Sequence, residues 1–228
     1  MIRQFFFMRQ KWIVITIVFL AWGFTHFETP WDKFALAIGV GWLFLHRRRY
    51  IEWNEGLRND GEIILAPIDG EIVKIGPYFD DEDQKNYTVI RINTSHYHCW
   101  GLYLPFNSEM AYLKEREGER FPRADLATLP AEKFKMLSRT DLILKSPAGL
   151  TSHMRFIQCV NGRSPRIWMK SGDRGRGAAC FGYYPFGGSL LIFVPENSEV
   201  LVVEKEKIKA GRSVLAVSRS QQEEHHGI

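Results

Sequence analysis

The chain has 228 residues, 45% of them apolar, which suits one domain of ordinary size with a sizeable core plus an extra segment. Its formal charge of +4 is mild for a nucleic-acid binder and the basic residues do not collect on one helix, so nucleic acid is not an expected partner. Three cysteines, Cys99, Cys159 and Cys180, none in a Cys-x-x-Cys spacing, argue against a disulfide framework or a zinc site and fit a reducing compartment.

The N-terminal part differs from the rest. "WIVITIVFLAWGFTHF" (residues 12–27) and "FALAIGVGWLFL" (residues 34–45) are apolar runs separated by the turn "ETPWDK". Each is marginal against the roughly 20 residues of a spanning helix. Trp12, Trp22, Trp31 and Trp42 lie here, as expected where rings sit at lipid–water boundaries. Arg3, Arg9 and Lys11 precede the pair and "HRRR" (residues 46–49) follows it, which puts both flanks on the cytoplasmic side. These features predict a membrane-associated helical hairpin over residues 1–48, inserted into the membrane or crossing it. A cleavable signal peptide is not expected, because there is no Ala-x-Ala site and a second apolar run follows. A buried helical pair in the core is the alternative, and it leaves the lack of a polar face on either run unexplained.

From Gly61 onward the pattern is that of strands. "GEIILAPIDGEIVKIG" holds two short apolar runs, and "YTVIRINTSHYHCW" alternates from Tyr87 behind a charged hairpin tip. "LPAEKFKML" (residues 129–137) is the best helix candidate of the domain. "DLILKS", "HMRFIQCV", "PRIWMK", "SLLIFVP", "EVLVVEKEKI" and "SVLAVS" read as strands bounded by turn residues, with "KAGR" turning between the last two. Residues 49–228 are therefore expected to form a mainly β domain, sandwich- or barrel-like, with a minor helical part. The tail holding His225 and His226 reads as a solvated end, not a metal site.

Three places offer chemistry. Asp69 sits in "APIDG" between two apolar runs; the bland reading is an Asp bonding its own turn. In "SHYHCW", a strand would point His96 and His98 to one face, yet no acidic or Cys partner stands at metal spacing, so no metal is expected. In "FGGSLLIF", Ser189 follows two glycines; Gly188 has no Cβ, so its carbonyl is open to close approach, but a plain turn opening a strand explains the glycines as well. Together they supply an Asp, a His and a Ser, the set needed to orient a base, move a proton and make a nucleophile.

On these residues the chain resembles the phosphatidylserine decarboxylase family in its short bacterial and archaeal form. "ILAPIDGEIVKI" matches the family's A-P-x-D-G turn. "SHYHCWGLYLP" fits its D-V-H-V-N-R-x-P segment with His98 at the histidine, His96 where Asp is usual, and two extra residues before Pro105. "GERFPRADLA" loosely echoes a G-x-F-x-x-A stretch. "PFGGSLLIFVP" matches the Gly-Ser processing site at Phe186, Gly188 and Ser189, with one inserted glycine. "IKAGRSVLAV" resembles the last hairpin.

The resemblance implies a cofactor the protein makes from itself. His98, oriented by Asp69, takes the Ser189 proton; the oxygen attacks the Gly188 carbonyl; the chain breaks between 188 and 189 and leaves a pyruvoyl group. That group then condenses with the amine of a serine phospholipid and drives loss of carbon dioxide. His98 is the implied proton donor, with His96 as assistant. Arg163, Arg166, Lys170, Arg174 and Arg176 are candidates for the lipid phosphate, or ordinary surface charge. The implied partners are the serine phospholipid, the membrane and the two fragments for each other, with a homo-oligomer left open. The implied location is the cell membrane, catalytic domain on the cytoplasmic side. Two other readings remain: a membrane-anchored, non-catalytic relative that binds anionic lipid or a protein, and a carrier domain of the lipoyl type, which lacks a modifiable Lys at a hairpin tip.

Overall fold

The computed structural model describes residues 63–80, 84–95, 98–122, 131–160 and 162–218, with isolated positions between 17 and 41. The expected hairpin over residues 1–48 lies mostly outside the described residues, and the tail and His96 lie outside them altogether. Among the described residues no helix is long and apolar enough to cross a membrane.

The domain is mainly β and built of open sheets. The largest runs in the order β13 (Lys207–Ile208), β2 (Gly70–Asp80), β3 (Lys85–Thr94), β11 (Gly188–Pro195), β7 (Thr151–Ile157), β6 (Arg139–Lys145), β5 (Ser108–Arg116) and β9 (Arg174–Gly175). A three-stranded sheet joins β1 (Ile63–Leu65), β14 (Val214–Ser218) and β12 (Ser198–Val200). Another joins β4 (Gly101–Tyr103), β10 (Cys180–Tyr183) and β8 (Arg166–Ile167). The expectation of a barrel is corrected here: the large sheet ends on the two-residue strands β13 and β9, which do not pair with each other.

β11 explains why "SLLIFVP" does not alternate. It is a middle strand, flanked by β3 and β7 and buried from Gly188 to Val194. A strand covered on both faces needs apolar side chains on both. Leu190, Ile192 and Val194 enter the main core, where Ile64, Leu102, Phe181 and Leu215 of the small sheets cover one face. Leu191 and Phe193 enter a second cluster on the other face with Tyr87, Phe134 and Ile157.

That second face also carries buried charge. Asp141 Oδ1 lies 2.7 Å from Arg155 Nε, and its Oδ2 lies 3.1 Å from Arg139 Nε and 3.3 Å from Arg116 Nε. Burial pulls the Arg155 guanidinium down, but Asp141, with Tyr78 and Asp80 behind it, more than offsets this and leaves it raised. Arg139 Nη1 donates to the Phe134 carbonyl at 2.9 Å and so ties down the segment expected as a helix, which is a 3-10 helix over Ala131–Met136.

Two strand expectations shorten. "EVLVVEKEKI" is broken into β12 and β13, because Lys205 takes a positive φ of 68° and its N–H turns to the Ile72 carbonyl. "PRIWMK" pairs only over Arg166–Ile167, and Asp173 then closes a turn by accepting from the Lys170 N–H at 2.7 Å.

Candidate active site

The three motifs meet at one end of the three strands β2, β3 and β11. Asn93 is the register partner of both Glu71 and Ser189, and Thr94 is the partner of Gly188. Asp69 therefore stands just beyond the row that ends at Ser189, two strand spacings away, or ~10 Å across the sheet. β3 ends at Thr94, so His98 follows in a turn. For His98 this corrects the expectation of a strand; His96 lies outside the described residues.

The "APIDG" loop is stitched to its surroundings. Ala66 N–H donates to the Ser213 carbonyl at 2.8 Å and Gly211 N–H to the Ala66 carbonyl at 2.7 Å; Tyr103 N–H donates to the Pro67 carbonyl at 2.8 Å. The Asp69 carboxylate is buried and accepts from the Ala210 N–H at 2.8 Å. It thus reaches the "KAGR" turn of the last hairpin, which the bland reading of a self-bonded turn does not provide.

His98 is half-buried. Its N–H donates to the Ser95 carbonyl at 3.1 Å, and its Nδ1 accepts from the Ser95 N–H at 3.2 Å. A neutral ring with Nδ1 as acceptor carries its proton on Nε2. Acting as a base at Nε2 requires that proton to shift to Nδ1, and acting as an acid requires the doubly protonated ring; both cost the bond from Ser95.

The histidine turn and the Gly-Ser turn are joined directly. Tyr184 N–H donates to the Trp100 carbonyl at 2.7 Å, and the Trp100 and Phe186 rings lie 5.1 Å apart. Gly187 N–H closes the turn on the Tyr184 carbonyl at 3.3 Å. Phe186 and Gly187 both have positive φ, 63° and 71°. This is ordinary for glycine and costs about 1–3 kcal/mol for phenylalanine.

Gly188 is glycine for a reason of packing. A Cβ there would strike the Tyr184 hydroxyl and come within 2.8 Å of the Ile157 carbonyl. The Tyr184 hydroxyl itself donates to that carbonyl at 2.5 Å. Ser189 is fully buried, and its hydroxyl donates to Asn93 Oδ1. Sequence reasoning missed Asn93, Tyr184 and Trp100. Asn93 left one trace, an amide following the apolar Ile92 in "RINT"; Tyr184 left none.

The basic residues divide. Arg163 stands 5.9 Å from the Phe186 ring and Arg166 pairs with Tyr183, next to the Gly-Ser turn. Arg174 pairs with Glu109 at 2.7 Å on β9, four strands from β11 or ~19 Å away. Lys170 opens the turn that leads to β9, and Arg176 follows that strand.

A family model described as phosphatidylserine decarboxylase matches residues 45–216, which includes all three motifs. Proteins named phosphatidylserine decarboxylase proenzyme resemble the chain. That of Amoebophilus asiaticus is 29% identical over 164 residues, 72% of this chain and 71% of that one. That of Syntrophus aciditrophicus is 26% identical over 219 residues, 92% and 86%. That of Wolbachia pipientis is 27% identical over 173 residues, 69% of each. With the family match spanning most of the chain and the Asp, His and Gly-Ser motifs at one end of the sheet, the chain belongs to the phosphatidylserine decarboxylase family and is a carboxy-lyase of that family.

Proposed function

We propose that the chain is a precursor that cuts itself between Gly188 and Ser189, and that residue 189, converted to a pyruvoyl group, serves the decarboxylation of phosphatidylserine to phosphatidylethanolamine. The observation that carries this reading is the Gly188-Ser189 bond itself. It follows a turn with a phenylalanine at positive φ, its glycine has no room for a side chain, and its serine hydroxyl is closed to solvent.

The residues present fit such a group. Conversion transfers the Ser189 oxygen to the Gly188 carboxylate and exchanges the amide nitrogen for a ketone oxygen supplied by water, so residue 189 itself ends one heavy atom smaller. Gly188 keeps the carboxylate and Tyr184 keeps its bond to Ile157. In the cleavage the Ser189 Oγ–C bond to Gly188 forms and the Gly188 C–N bond breaks. The hydroxyl proton travels through His98 to the Ser189 nitrogen. Loss of the α-proton then frees the Gly188 carboxylate, and water releases ammonia from the remaining residue. A pyruvoyl group supplies a carbonyl that condenses with the substrate amine and draws electrons from the bond to its carboxylate. His98, once doubly protonated, returns its Nε2 proton to the carbon that loses carbon dioxide, a role of about 10²–10⁴-fold. Asp69 is kept as the group that orients His98 on the strength of the resemblance, and Arg163 and Arg166, beside the Gly-Ser turn, are the favoured candidates for the lipid phosphate. His96 is kept as an assistant on the strength of the resemblance alone.

The same reading puts the protein at the cell membrane, with residues 1–48 as anchor and the catalytic domain on the cytoplasmic side. It is supported by the apolar runs and by the exposure of Ile17, Val18, Trp22, Phe34 and Ile38. The test is a denaturing gel with mass spectrometry of purified protein. Two fragments, one ending at Gly188 and one of residues 189–228 with no free amine, are expected together with carbon dioxide release from phosphatidylserine. An intact chain that still releases carbon dioxide overturns the pyruvoyl reading. An intact, inert chain favours the non-catalytic relative.

A further inference from the structure

Resting on the self-cleavage reading, we infer that Asn93 is a positioning residue for that cleavage: it holds the Ser189 hydroxyl so that its oxygen faces Gly188. Asn93 lies directly opposite Ser189 across the β3–β11 pair, and the Ser189 hydroxyl donates to its Oδ1. Ser189 has no exposed surface, so bulk water does not compete for that hydrogen. An amide oxygen accepts a hydrogen bond but is not a base. Asn93 therefore orients the hydroxyl without removing its proton. With the O–H directed at Asn93, the oxygen's lone pairs are left for the carbonyl carbon of the preceding residue.

Asn93 is itself held from the far side. A Cβ at Gly70 would come within 2.5 Å of the Asn93 carbonyl, so β2 packs on this residue more closely than any side chain allows. The glycine of "APIDG" thus lets β2 lie close against the Asn93 backbone on the side away from β11. On the other side the Ile157 carbonyl of β7 and the Tyr184 hydroxyl, from the turn before β11, close on Gly188. The nucleophile is held from β3 and the electrophile is packed from β7. In the step itself Asn93 gains and loses no atom: Oγ bonds to the Gly188 carbon, the hydroxyl proton leaves its bond to Asn93 and passes by way of His98 to the Ser189 nitrogen, and the C–N bond breaks.

The test follows cleavage of the full chain after cell-free synthesis, by gel, for wild type, Asn93→Ala and Asn93→Asp, with Ser189→Ala as the uncut control for thermal unfolding. Asn93→Ala is expected to fold and to cleave about tenfold to a hundredfold more slowly, as loss of alignment does. Asn93→Asp accepts the same bond through a titrating group. It is expected to cleave faster than Asn93→Ala, at a rate that falls at acid pH along a limb wild type lacks. A packing role alone would not produce that limb. Folded Asn93→Ala cleaving at the wild-type rate overturns the inference and leaves the self-cleavage reading standing. So does an Asn93→Asp profile identical to wild type, which also decides the matter where Asn93→Ala does not fold. Wild type that never cleaves sinks both.

Discussion

The loop that carries Asp69 and the turn that carries Gly188 both depend on glycine, and they differ in backbone strain. Residues 66–70 show no positive φ and are tied to β4 and the last hairpin by backbone hydrogen bonds and by Asp69 itself. Residues 184–188 are also hydrogen-bonded, but they hold Phe186 and Gly187 at positive φ, with Tyr184, Ile157 and Thr94 crowding the glycines. Both regions are bonded and crowded at a glycine; only the second is strained. On the self-cleavage proposal, the unstrained loop suits a group that must stay in place, and the strained turn suits the bond beside it that is to be broken.

The largest way to break this comparison is to remove the reacting group. Ser189→Ala is expected to stay one chain and release no carbon dioxide, while unfolding close to the temperature of the wild-type precursor. Fragments from Ser189→Ala would move the cut elsewhere.

Gly188→Ala comes next. The added methyl meets the Tyr184 hydroxyl and the Ile157 carbonyl, and overpacking of this kind costs about 1–3 kcal/mol. Cleavage is expected to stop or slow severely. Gly188→Ala with Tyr184→Phe removes the hydroxyl collision and should recover part of the melting temperature, though not all, because the carbonyl remains. Full recovery would shift the crowding to Tyr184 alone.

Asp69 sharpens the contrast by separating stability from chemistry. Asp69→Ala leaves the buried Ala210 N–H without its acceptor, at a cost of about 1–3 kcal/mol by denaturant unfolding. Asp69→Asn keeps an oxygen for that bond and should lose less stability. Its cleavage should nonetheless slow if Asp69 also orients the histidine turn. Equal cleavage by Asp69→Asn and wild type would reduce Asp69 to a fastener.

The smallest expected effect is at Arg174. It is 84% exposed and paired with Glu109 far along the sheet, so Arg174→Gln should leave melting temperature and carbon dioxide release unchanged. Arg166→Gln is expected to raise the KM for phosphatidylserine vesicles more than it lowers kcat. A larger effect at Arg174 than at Arg166 would reverse the assignment of the basic residues.

Much of the site was legible in the chain, and the rest was not for definable reasons. Asp69, His98, Gly188 and Ser189 sit in contiguous motifs, and contiguous motifs survive in sequence. Asn93 acts only through the residue opposite it, and cross-strand partners follow register, which depends on the whole sheet. Tyr184 stands among other aromatics in "YYPF", and nothing local shows that its hydroxyl, with the Ile157 carbonyl, keeps Gly188 bare. His98 was placed in a strand because "YTVIRINTSHYH" alternates, whereas pairing stops at Thr94 and the chain turns back on Ser95.

By itself the sequence determined the mainly β character, the punctuation by Gly and Pro, and which residues carry reactive groups. Those follow from local conformational preference and side-chain chemistry, which need no distant partner. Only the tertiary structure decided that the sheets stay open, that Asp69 bonds Ala210, that Trp100 ties the histidine turn to the Gly-Ser turn, and that Ser189 faces Asn93. Each of these joins residues far apart in the chain. Their meeting is set by strand register and by burial of β11 on both faces, and no short stretch of residues encodes either.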